Sequence, residues 1–239
     1  MTTVVISQPM YFPWVGFFEQ MRLADVYVWL DDVQFSKGSF TNRVQVLLPG
    51  KQVWMTIPLA DKTGRAIRDL SATGDGWKAS HRELLVQSLR KAGCLDDALA
   101  VFNEAVSHEK IVDILIASCE TCARRLRAVP AQSCKSSDLV TEGHGSARVL
   151  DIVKRFGGTR YLTGHGAAKY LDMDRFEAAG IAVEFMDYQV AAWPQRDDGF
   201  TPYVTALDLI AVQGANAPDH LIPRTFPWRD FVAKRAEES

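Results

Sequence analysis

The first thirty residues constrain this chain most, because two apolar runs too short for anything but strands bracket a helix-length segment bounded by prolines. The run at residues 3–7, with Val4, Val5 and Ile6, shows no polar alternation and so reads as a strand buried on both faces. Pro9 ends it, since it has no N–H to give a ladder and pushes Gln8 out of the helical region. Pro13 suits the first position of a helix, where its missing donor would be an orphan anyway. That helix takes in Trp14, Phe17, Phe18, Met21 and Leu23 and stops near Ala24 and Asp25. A second buried strand, residues 26–30, is closed by the paired acids Asp31 and Asp32. Strand, loop, helix, strand is most simply a right-handed crossover between parallel neighbours. Gln8 and the loop to Pro13 then lie at the carboxyl end of one strand and Asp31 and Asp32 at that of the next, the edge where open α/β sheets bind ligands.

With 239 residues, 47% of them hydrophobic, the chain is expected to form a single α/β domain over residues 1–239. Formal net charge is -2 with acids and bases interspersed, so nothing points to nucleic acid as a partner. No apolar run approaches membrane-spanning length, and no basic segment precedes a long apolar one, so the expectation is a cytoplasmic protein without membrane insertion. Cys119 and Cys122 form a C-x-x-C pair inside a helical run, with Cys94 and Cys134 distant. Structural thiols are expected there, and no metal site.

Beyond Asp32, residues 33–43 read as a loop pinned by its aromatic rings. Residues 44–48 and 52–57 flank Pro49-Gly50-Lys51 as the arms of a hairpin. Residues 60–76 look like irregular connection. Apolar positions recur at three to four residues through 77–126, which predicts a helical insertion or lid over 77–127 that covers the carboxyl edge of the sheet. Residues 133–137 carry a weak strand pattern. The final third returns to alternation: a helix at 147–156 stopped by Gly157-Gly158, a strand at 159–163, a tight turn Gly164-His165-Gly166, a helical turn from Ala167, a helix at 172–179, a strand at 181–185, a helix at 202–213, and a Pro-rich tail frayed at residues 235–238. The fold class that results is Rossmann-like, mostly parallel, with a β-hairpin and a helical insertion.

Candidate site residues follow from chemistry and placement. Adjacent strand residues face opposite ways, so one of Asp31 and Asp32 is expected to meet a ligand while the other caps the loop. Gln8 offers an amide to a base or a sugar hydroxyl, and Arg43, beside Asn42, offers a planar fork to a carboxylate or phosphate. Tyr11 and Trp14 suit cleft walls, Trp14 with a ring to stack on a base or sugar face. His81 shares a helix face with Trp77 and is a candidate general base. The glycines around His165 allow backbone N–H groups to approach a phosphate.

The stretch from Ile6-Ser7-Gln8-Pro9 through Tyr11-Phe12-Pro13-Trp14-Val15-Gly16, then Leu30-Asp31-Asp32-Val33-Gln34-Phe35, Asn42-Arg43 and Trp54-x-Thr56-x-Pro58, resembles the WbqC-like family. The likeness continues in Trp77-x-x-x-His81, Gly157-Gly158-Thr159-x-Tyr161-Leu162-Thr163-Gly164, Tyr170-Leu171 and Leu207-Asp208-Leu209; Thr163 and Thr205-Ala206 stand where the family pattern is more serine-like. These are bacterial proteins whose genes commonly lie in polysaccharide or O-antigen clusters. The resemblance implies a transferase passing an acyl or aminoacyl group to an amino sugar or its nucleotide-linked form, with an acyl-donor carrier as a possible partner and no cofactor specified. Gln8, Arg43 and the Gly164 turn would position the substrate, and Asp31 or His81 would take the proton from the amine. A weaker resemblance, to the HIGH-type nucleotidyltransferases, covers the layout from Val4 to Asp31, with Tyr161, Thr163 and Gly164 where a nucleotide-contacting loop would fall; the histidines of that motif are replaced by Tyr11, Phe12, Pro13 and Trp14. The alternatives are therefore a non-catalytic nucleotide-sugar-binding subunit and a diverged nucleotidyltransferase. A closed pocket in which Asp31, Asn42, Arg43 and His81 converge would favour an enzyme, and exposed aromatic surface beyond the cleft a binding subunit.

Overall fold

The computed structural model describes residues 1–195 and 199–237. In chain order the elements are β1 (Thr3–Ser7), α1 (Val15–Arg22), β2 (Val26–Trp29), a hairpin of β3 (Arg43–Leu48) and β4 (Lys51–Thr56), a short ladder of β5 (Leu59–Ala60) and β6 (Ser71–Ala72), helices α2 (Gly76–Leu89), α3 (Leu95–Val106) and α4 (Ile111–Arg125), then β7 (Gln132–Lys135), α5 (Gly145–Arg155), β8 (Arg160–Thr163), α6 (Met173–Ala178), β9 (Ala182–Met186), α7 (Ala206–Gln213), β10 (Thr225–Pro227) and α8 (Trp228–Glu237). The central sheet runs β10-β9-β8-β1-β2-β7. All neighbours are parallel except β10, which pairs antiparallel with β9. Without that edge strand the order is the doubly wound one, and the point where the chain reverses direction across the sheet falls between β1 and β8.

The expected parallel pairing of the first two strands is present, with Val4 opposite Val26 and Ile6 opposite Val28. Because side chains alternate along β1, Val5 enters one core with Tyr27, Trp29, Phe17, Phe18, Met21 and helices α3, α4 and α7, while Val4 and Ile6 enter another with Val26, Val28 and residues of α5, α6 and α8. Both faces of the sheet are thus covered, which is why its strands carry no polar alternation. No helix among the described residues is long and apolar enough to cross a membrane.

Several boundaries differ from expectation. Helix α1 begins at Val15 rather than Pro13, because Phe12 takes a left-handed φ of 43° that holds the chain out of the helix until Trp14, the cap residue. β2 ends at Trp29, and Leu30 instead donates its N–H to the Ser7 carbonyl. α7 starts at Ala206 rather than residue 202, where the Thr205 hydroxyl accepts from the Leu207 N–H. The Pro-rich tail is ordered: β10 joins the sheet, and α8 runs to Glu237 with Phe231 stacked on Phe185, centroids 4.1 Å apart. The frayed end expected at residues 235–238 reaches beyond the described residues at Glu238.

Residues 77–126 are largely helical as expected, but they lie behind the loop that follows β1. Ser118 Oγ accepts from the Phe12 N–H at 3.1 Å and reaches the Met10 carbonyl at 2.9 Å, and the Cys119 thiol reaches that carbonyl at 3.1 Å. Cys119 and Cys122 are buried free thiols, and burial pushes the Cys119 thiol up to about 12, so it stays protonated and inert. Phe18 of α1, with no exposed surface, belongs to the core that this helix shares with the sheet and with helices α3, α4 and α7. Phe18→Ala is expected to lower unfolding stability by about 3–5 kcal/mol, read as a shift in the urea midpoint at unchanged slope; an unshifted midpoint would contradict the packing described.

Candidate functional site

At the carboxyl ends of β1 and β8 lies a cleft of about 690 Å³. Its floor is Ser7 and Gln8 beyond β1, Thr163, Gly164 and His165 at the end of β8, and Gln20 from α1; its walls are the rings of Trp14, Phe40, Tyr170, Tyr188 and Tyr203. Among the described residues no lysine, arginine, aspartate or glutamate lines it. This is the switch point of the sheet, where two loops leave β1 and β8 in opposite directions and open a crevice between them.

Local rules explain how each group arrives there. Pro9 turns the chain at the end of β1 and leaves the Gln8 amide without a hydrogen-bond partner among the described residues. Trp14 lies across the start of α1 because Gly16 has no side chain: a Cβ there would sit 2.3 Å from the indole. The indole meets Tyr188 edge-on at 4.8 Å and Tyr203 at 5.6 Å. A Cβ on Gly164 would come within 2.8 Å of the Tyr188 hydroxyl, so that turn needs glycine for close approach rather than for φ. Gln20 donates to the Leu162 carbonyl at 3.3 Å, which joins α1 to β8 beneath the cleft.

His165 is the one histidine of the cleft. Its Nε2 lies 2.7 Å from the Met186 carbonyl, and a carbonyl only accepts, so the ring proton is on Nε2. In the neutral ring Nδ1 then carries a lone pair, and it has no hydrogen-bond partner among the described residues. The ring packs between Tyr188 at 5.1 Å and Phe231 at 4.9 Å.

Of the residues expected at a site, the fold gathers Gln8, Trp14, Thr163, Gly164 and His165 around this cleft. Asp31 is 1% exposed, and its carboxylate accepts from Ser137 N at 3.0 Å, Ser137 Oγ at 2.7 Å and Ser136 Oγ at 3.1 Å, so it caps the turn after β7. Asp32 pairs with Arg148 of α5 at 2.6 Å and accepts from Ser136 Oγ at 2.7 Å. Burial alone would raise the Asp32 carboxyl, but these hydrogen bonds and the Arg148 charge outweigh it and hold the group below its ordinary value. Asn42 donates to the Ile57 carbonyl and closes the base of the hairpin. Arg43 donates to the Gly38 carbonyl, with its guanidinium 4.2 Å over the Trp54 ring. Tyr11 is fully buried and hydrogen-bonded to His81 Nδ1 at 2.9 Å, and Tyr161 is buried on the opposite face, stacked on Phe176.

Burial pushes the His81 imidazole down to about 4, with a backbone hydrogen bond at Thr56 partly offsetting it. The ring is therefore neutral near pH 7 and a weak base, held among Tyr11 and Trp77 rather than in the cleft. Sequence reasoning missed Gln20, Phe40, Tyr188 and Tyr203. Tyr188 follows β9 closely, and the rule that placed Gln8 applies to it; Tyr203 reaches the rim through a bridge between Val204 and Gln45 that no local pattern announces.

Fold and cleft together define an α/β protein of the doubly wound type with a cleft at the switch point of its sheet. The chain belongs to the WbqC-like protein family, whose model matches residues 8–220. It is 28% identical over 232 residues, 92% of this chain and 98% of the relative, to the uncharacterized protein Rv1507c of Mycobacterium tuberculosis. No solved structure matches it significantly.

His81 also sets a pH dependence of stability. Its folded-state value lies below that of the unfolded chain, so between about pH 4 and 6.5 the unfolded state binds more protons and stability falls as pH falls. Relative to His81→Gln, the wild type should lose on the order of 2–3 kcal/mol between pH 7 and pH 4 in denaturant titrations; parallel pH profiles for the two proteins would refute a buried neutral His81.

Proposed function

We propose that this protein is a transferase that takes an amino sugar, free or nucleotide-linked, into the cleft beside β1 and passes an acyl or aminoacyl group to the sugar amine. The observation that carries this reading is a cleft walled by five aromatic rings and lined by no fixed charge among the described residues, with a single histidine whose free nitrogen suits proton abstraction. Flat rings pack on the apolar face of a sugar, and the Gln8 amide and the Ser7 and Thr163 hydroxyls suit its hydroxyls.

In the reaction the uncharged amine attacks the acyl carbonyl, and the N–C bond forms as the bond to the leaving group breaks. The amine proton passes to His165 Nδ1, and the leaving group departs with the bonding electron pair and takes that proton from the imidazolium, which returns the ring to its neutral form. The acceptor of the Nε2 proton, the Met186 carbonyl, also stabilises the imidazolium formed in this step. Asp31 and His81, first choices by position, are replaced in this role by His165: Asp31 already has its oxygens occupied, and His81 is a weak base away from the cleft.

A second reading, a sugar-binding subunit without chemistry, is favoured by one observation. Asp31, Asn42, Arg43 and His81 do not converge, while Tyr170 and Tyr203 leave 50% and 57% of their surface exposed at the rim. Incubating wild type, His165→Gln and Asp31→Asn with uridine diphosphate glucosamine and a panel of acyl thioesters and aminoacyl adenylates, with amide followed by mass spectrometry, separates the two. His165→Gln should lose roughly 10²–10⁴ in turnover while still binding the sugar. Asp31→Asn should lose folded protein rather than turnover per folded molecule. Absence of amide from wild type across the panel would leave the binding reading.

A further inference from the structure

A second hollow, of about 410 Å³, opens on the far side of His165 and shares His165 and Gly166 with the cleft. Its lining is opposite in character. Lys169, Lys234 and Arg235 face into it against one carboxylate among the described residues, Asp187, whose Oδ2 accepts from the Gln189 amide at 3.0 Å. Neither Lys169 nor Lys234 has an ion-pair partner among the described residues. The Lys234 ammonium lies 4.8 Å from the Phe226 ring centroid and the Arg235 guanidinium 5.8 Å from that of Phe231. Phe231 is 3% exposed and stacked on Phe185, so α8 holds these cations on an anchored surface.

We infer that this hollow seats the diphosphate of a nucleotide-linked sugar, with the sugar itself in the adjoining cleft. The inference rests on the proposed function and narrows its substrate class from amino sugars in general to the diphosphate-linked form. Among the described residues the cleft offers a phosphate no cationic side chain, and Arg43, which has the right chemistry, is engaged with Gly38 and Trp54. An anionic group attached to a sugar in the cleft has its nearest excess of positive charge across His165. A single carboxylate would be matched by one cation; a group with two negative charges suits Lys169 and Lys234 together, neither of them ion-paired among the described residues. The arrangement also sorts ligands, since the neutral aromatic cleft lacks cations to hold a diphosphate and the basic hollow has no comparable set of rings for a sugar.

The test is calorimetry on the full chain with three probes: uridine diphosphate glucosamine, the methyl glycoside of glucosamine, and inorganic pyrophosphate. The protein is compared with the double variant Lys169→Gln, Lys234→Gln, whose exposed sites keep the fold intact by thermal melting. The double variant should bind uridine diphosphate glucosamine and pyrophosphate about ten-fold more weakly or worse, with methyl glycoside affinity unchanged, and the wild-type affinity for pyrophosphate should fall as salt is raised. Unchanged affinity of the double variant for the diphosphate sugar, equal wild-type affinity for that ligand and the methyl glycoside, or no binding of either phosphate-bearing probe would overturn the inference. Lysine-dependent pyrophosphate binding without any glucosamine binding or amide formation would leave the anion site standing and remove the amino-sugar reading.

Discussion

The cleft exists because one residue, Phe12, is held in a backbone conformation it does not favour. At φ 43° a bulky side chain is strained, and such a conformation costs on the order of 1–3 kcal/mol unless its surroundings impose it. Here they do. The Phe12 ring is fully buried and stacks on Phe102 of α3, its N–H donates to Ser118 of α4, and the preceding Met10 carbonyl meets the same hydroxyl and the Cys119 thiol. The turn sends Tyr11 back toward His81 and releases Trp14 toward Tyr188 and Tyr203. The long helical crossover thus acts on the site through the backbone of this loop, and none of its side chains lines the cleft.

The paired acids after β2 follow a different logic. They bind the two strands at one edge of the sheet to the segment that crosses to the other side: Asp31 to Ser136 and Ser137, Asp32 to Ser136 and Arg148. Hydroxyl and amide donors satisfy the buried oxygens of Asp31, and the guanidinium facing Asp32 favours its charged form. Losing either partner would leave a poorly solvated acid at the strand end. The family-like spelling of this stretch therefore has a sufficient explanation in the sheet alone.

Much of the frame was legible in the sequence because it rests on local regularity. The unalternating runs of β1 and β2, the turn residues of the hairpin and the periodicity of residues 77–126 each have one simple structural solution. So did Gln8 and the Gly164 turn, since strand ends are marked by proline and glycine. What could not be read were partners distant along the chain. Whether Asp31 meets a ligand or caps a turn is decided by Ser136, 105 residues on, and Arg43 is withdrawn by a tryptophan on the facing strand. The ordered tail was missed for a similar reason: nothing local in Thr225–Pro227 says strand, and its pairing with β9 makes it one.

The position of β1 bears on synthesis as well as on binding. β1 is made before both of its neighbours; β2 pairs with it soon afterwards, but its other neighbour is Arg160–Thr163. For the time needed to make the intervening residues, one edge of β1 stands unpaired, with Val4, Val5 and Ile6 along it. An exposed apolar edge is a template for another chain. Nascent copies on one message thus pass through a stage in which they can pair with each other, and that stage ends when β8 arrives.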